Sequence, residues 1–212
     1  MENEKSVDPW QSLMQVGWLA VLLGLTIEVI LVVLAAGFGT LKGAYPVLAD
    51  LVQKISWSAI VCLGIAVATM AQKARGSLMG LAGLLAAPFA FVVARSLHKG
   101  AIAALGVAAA ARPGPSLILI GLLKGLQYGS FGLALNWVEK KPWGKLAAHL
   151  ATGLAAGVVF GGMMLALVIQ AAPQMPPFPV LVSSATSEVL FPVGCALVIY
   201  VSKIMKKLRG DS

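Results

Sequence analysis

The sequence predicts an all-α fold, a polytopic transmembrane bundle of about six helices, on three observations. Of its 212 residues, 59% are hydrophobic and only 11% are charged, whereas soluble domains carry about 25% charged residues, and the mean hydropathy is +0.90. Apolar runs long enough to cross the hydrocarbon core recur along the whole chain. The Lys and Arg residues behind the net charge of +8 stand at the ends of these runs instead of forming a patch. That placement excludes a nucleic-acid partner and makes the lipid bilayer the expected one. No stretch is polar enough for a soluble domain, so residues 1–212 read as a single integral membrane domain.

Span one is expected at Gly17–Phe38, with Trp10 and Trp18 as interfacial anchors. The preceding Met1-Glu2-Asn3-Glu4-Lys5 is acidic and the apolar run is about 22 residues long, which argues for a retained helix over a cleaved signal peptide. Gly39–Lys54 reads as an outer connection, with Tyr45–Lys54 as a short surface helix because Leu48, Leu51 and Val52 recur at near-helical spacing. Span two follows at Ile55–Met70 and span three at Ser77–Val93, where Pro88 is placed to kink it. The polar Arg95-Ser96-Leu97-His98-Lys99-Gly100 interrupts the pattern. Ala101–Ala111 is then apolar but below the ~17 residues needed to cross. Its expected form is a short re-entrant or surface helix, stopped by Arg112-Pro113-Gly114-Pro115, with a tilted continuation of span three as the alternative.

Span four, Ser116–Val138, and span five, Leu146–Ala171, are joined by the basic turn Glu139-Lys140-Lys141-Pro142-Trp143-Gly144-Lys145. The uncharged, proline-rich connector Ala172–Pro179 leads to span six, Phe178–Ser202, and a basic tail. With even spans, Lys5, Lys73, Arg75, Lys140, Lys141, Lys145, Lys203, Lys206, Lys207 and Arg209 fall on one side. Only Lys42, Lys54, Arg95, Lys99 and Arg112 fall on the other. The positive-inside bias therefore places both termini in the cytoplasm, most simply of a bacterial inner membrane.

Three charges stand alone in apolar surroundings: Glu28 in span one, Lys124 in span four and Glu188 in span six. An ionised group at mid-membrane costs at least ~2.5 kcal/mol, so such residues face a bundle interior, a partner or water. At ~1.5 Å per residue all three lie ~12–15 Å below the outer ends, a common layer. The expected arrangement is a Lys124–Glu188 pair with Glu28 left as the unpaired carboxylate, where a cation or proton binds and leaves. Hydrogen-bonding partners are expected from Gln127, Tyr128, Ser130, Ser183, Ser184, Thr186 and Ser187, and the Ser183–Glu188 segment ahead of Pro192 reads as locally unwound.

Gly121, Gly125 and Gly129 in span four, and Gly153, Gly157 and Gly161 in span five, recur every fourth residue. Glycines so spaced let two backbones approach closely, and an intimate four-five pair is expected from them. Cys62 and Cys195 read as small packing residues at different depths, with no metal-ligand spacing in the chain. Ser130 and His149 invite a hydrolase reading. Their heights differ by ~7–8 Å, His149 is expected at the interface beside the lysine-rich turn, and no catalytic activity is expected. No cofactor is implied. Two functions fit: translocation of a small ion or solute at the layer of Glu28, Lys124 and Glu188, or a non-catalytic subunit of a homo-oligomer or larger membrane complex.

Overall fold

A computed structural model describes residues 9–69, 75–107 and 115–210. Its secondary structure is helical throughout: α1 Pro9–Gly37, α2 Ala44–Thr69, α3 Arg75–Ala104, α4 Leu117–Glu139, α5 Leu146–Ala171 and α6 Phe178–Gly210. All six are long and apolar enough to cross a membrane, as expected for a chain whose backbone must satisfy its own hydrogen bonds in lipid. Residues 70–74 and 108–114, with most of the Arg112–Pro115 stop signal, lie outside the description.

Consecutive helices run antiparallel and pack side by side, and α1 closes the ring against α6. Connections 38–43 and 172–177 meet at one end, the Thr40 end, where the Phe38 and Phe178 rings stand 5.9 Å apart, edge to face. The turn 140–145 marks the Glu139 end. Inside the ring α6 also touches α2 and α4, so the interior divides into a compartment between α1, α2 and α6 and another bounded by α2 to α6.

Three expected elements take a different form. Tyr45–Lys54 is no separate surface helix but the first turns of α2; Pro46 fits there because the first turn of a helix has no use for its missing N–H. Ala101–Ala104 continues α3 through Arg95–Lys99 without a break. The helix stops short of the expected proline signal, at Gly106, whose φ of +65° closes a Schellman motif: Val107 N–H donates to Ile102 O at 3.1 Å and Gly106 N–H to Ala103 O at 3.2 Å. Gly39 ends α1 in the same way, with φ +66° and Thr40 N–H on Ala35 O at 2.8 Å. Ser183–Glu188 is regular helix, and α6 runs through Pro192 unbroken.

The glycine ladders also meet other partners than expected. Span four's face packs on α3: a Cβ on Gly125 would lie 2.9 Å from Leu84 O, and one on Gly129 3.3 Å from Gly80 O. Gly121 sits at the upper end of that seam, opposite Pro88. Gly83 extends the seam from the α3 side, where a Cβ would fall 2.0 Å from Tyr128 O. Gly153, Gly157 and Gly161 seat α5 on α6, at Pro192, Val189 and Glu188. The two ladders thus bind α3 to α4 and α5 to α6, and α4 meets α5 only lightly.

Candidate functional site

The charged layer is made by four side chains, one more than the apolar runs disclose. Lys124 of α4 donates to Glu188 Oε2 of α6, and also to Gln127 Oε1 at 3.3 Å. The Lys124 ammonium lies 5.4 Å from the Trp57 ring centroid, a cation–π contact that helps a buried ammonium. Glu28 of α1 is not left over: Lys54 of α2 reaches it, Nζ to Oε2 at 2.5 Å, and both side chains are largely buried. The layer therefore holds two acids and two bases, and the reading of Glu28 as the unpaired carboxylate is corrected by Lys54.

The two pairs border two cavities. One, of about 570 Å³, lies between α1, α2 and α6 and is lined by Glu28, Lys54, Ser183, Ser184, Ser187 and Glu188, with Thr40, Lys42 and Asp50 toward the Thr40 end. The other, of about 290 Å³, lies on the far side of α6 and is lined by Gln53, Lys54, Trp57, Lys124, Glu188 and Phe191 among others. Lys54, Ser184, Ser187 and Glu188 border both. At the mouth, Lys42 Nζ holds Asp50 Oδ2 at 2.8 Å, and His98 faces Asp50 Oδ1 at 3.6 Å while its Nδ1 contacts Ala49 O at 3.1 Å.

Below this layer, toward the Glu139 end, aromatic rings fill the interior. Trp57, Tyr128 and Phe191 each follow a charged residue, Lys54, Lys124 and Glu188, by three or four positions, which places them about one turn (~5 Å) deeper. Trp57 meets Tyr128 at 5.8 Å and Phe191 at 6.3 Å, edge to face, and Phe131 extends the stack at 5.9 Å from Tyr128. Beneath them Cys62 Sγ and Cys195 Sγ stand 3.3 Å apart, both free thiols. They share one depth, which corrects the expectation that they sit apart.

Several candidates play no part in the layer. Ser130 turns its hydroxyl back to Leu126 O at 2.8 Å and Gln127 O at 3.0 Å. His149 is fully buried at the Glu139 end, not interfacial, between Glu139 and Tyr200. Gly121, Gly125, Gly129, Gly153, Gly157 and Gly161 shape the helix seams and line neither cavity. Lys54, Asp50 and Lys42 are the functional candidates that hydropathy alone hides, because they lie where a span and its connection cannot be told apart by composition. The sequence signal for two of them is the four-residue spacing of Asp50 and Lys54, which puts both on one face of a helix. Comparison with known protein families, with curated proteins and with solved structures finds no match for this chain.

Proposed function

We propose that this protein takes up a small polar solute of balanced charge into the cavity between α1, α2 and α6, and passes it across the membrane along the face of α6. The observation that carries the reading is the cavity of about 570 Å³ whose wall holds both signs of charge and three serine hydroxyls at mid-bundle depth. Its volume lies within the range of about 300–1,000 Å³ typical of small-molecule sites. Buried charges of this kind mark solute and ion paths in membrane proteins. A zwitterion suits the lining best: its cationic group meets Glu28 or Glu188 and its anionic group meets Lys54, so that no charge is left alone when a resident pair opens. The aromatic stack of Trp57, Tyr128 and Phe191 closes the route toward the Glu139 end. This is the closed side of an alternating-access cycle, and the α5–α6 hairpin is the body that moves.

A melting screen of the purified protein in mild detergent tests the proposal. Small zwitterions and neutral hydroxylated solutes are added singly. A solute at one hundred times its Kd stabilises by about 2.7 kcal/mol, a readable shift. Ser184→Trp, which fills the space bordering both cavities, abolishes the shift while the unliganded melt persists. A protein indifferent to every zwitterion and neutral solute refutes the reading.

A further inference from the structure

We infer that His149 and Glu139 form a proton-binding site that clamps the α5–α6 hairpin to α4 at the Glu139 end, remote from the charged layer. His149 lies one turn into α5 and is 0% exposed. Its Nδ1 stands 3.0 Å from Lys145 O, and a carbonyl only accepts, so Nδ1 carries the hydrogen and Nε2 the lone pair. Nε2 stands 4.0 Å from Glu139 Oε1 and has no hydrogen-bond partner. A buried Nε2 lone pair this close to a carboxylate is satisfied by taking up one proton. That proton converts the imidazole to an imidazolium paired with the Glu139 carboxylate.

The surroundings select a proton over a metal ion. The groups facing the imidazole among the described residues are Glu139 from α4 and, from α6, Tyr200, whose ring centroid is 5.0 Å from that of His149, and Lys203. Lys203 Nζ is 3.7 Å from Glu139 Oε2. Its charge repels a divalent cation, and no group of three or more His, Cys, Asp or Glu residues suited to a metal occurs among the described residues. Among its contacts Glu139 faces Lys203 from α6 and, once protonated, His149 from α5. A proton on His149 therefore adds an ion pair between α5 and α4 at this end. Since α4 and α5 otherwise meet lightly, one proton changes the strength of this contact substantially.

The site is read on the ligand-free full chain, independently of any solute. Selective 15N-histidine labelling yields two imidazoles, His98 and His149, and a His98→Asn variant assigns them. The expected result is that His149 shows the Nδ1–H tautomer at alkaline pH and becomes an imidazolium as the pH falls to 5. Glu139→Gln weakens its proton affinity about tenfold or more, because an opposite charge within about 4–6 Å is removed. Lys203→Met strengthens it, because the cation that competes for Glu139 is gone. A purely structural histidine shifts in neither direction. An imidazole that stays neutral from pH 9 to 5, or whose midpoint ignores both substitutions, overturns the inference. A titrating His149 in a protein that binds no solute leaves the proton site standing and removes only the solute reading.

Discussion

Four charges are tolerable at the centre of an apolar bundle because each has its opposite at contact distance: Lys124 with Glu188, and Glu28 with Lys54. Burying the pairs contributes little net stability, since desolvation offsets most of the attraction, whereas removing one partner strands the other at a cost of about 3–5 kcal/mol. Lys124→Met and Glu188→Gln are each expected to lower the melting temperature sharply. The double variant, with no orphan charge, recovers a large part of the loss, a coupling that a double-mutant cycle measures directly. The same cycle on Glu28→Gln and Lys54→Met gives the same pattern, and additive losses in either cycle contradict its pair. Glu28, Lys124 and Glu188 were legible because each interrupts a long apolar run. Lys54 was not, because it follows Asp50 and Gln53 at what reads as the edge of a span. Those polar residues drew the boundary of span two too late, when they in fact point inward.

At the scale of helices, the seams are set by glycines that bring backbone against backbone, α3 on α4 and α5 on α6. A Cβ on Gly157 would fall 2.8 Å from Val189 Cα, whereas one on the neighbouring Gly162 meets nothing within 4 Å. Gly157→Leu therefore forces the α5–α6 seam apart and destabilises by about 1–3 kcal/mol or more. Gly162→Leu, on the open face, melts like the parent in detergent. Equal behaviour of the two variants would mean that the seam does not hold the hairpin. The spacing of the ladders was readable from the sequence, but their partners were not, because a glycine stripe marks a face without naming what covers it. The end of α3 was missed for a related reason: a single glycine in a Schellman motif at Gly106 stops the helix before the more conspicuous prolines.

At the scale of the molecule, two tightly seamed groups meet along a polar boundary. The α5–α6 hairpin faces α1–α4 across both cavities, the Lys124–Glu188 pair, the free thiols Cys62 and Cys195, and the Glu139–His149 contact. What this boundary does depends on which way the protein sits. Lys140, Lys141, Lys145, Lys203, Lys206 and Lys207 gather at the Glu139 end, so the prediction from the positive-inside rule is that the Thr40 end and the mouth of the larger cavity face outward. Because both native cysteines are buried at 1% exposure, single cysteines introduced at the surface report orientation without removing them. Thr40→Cys is expected to react with a membrane-impermeant maleimide in intact cells, and Lys141→Cys only after permeabilisation. The opposite pattern would open the cavity to the cytoplasm and turn the proposed uptake into release, with the aromatic stack closing the external side instead.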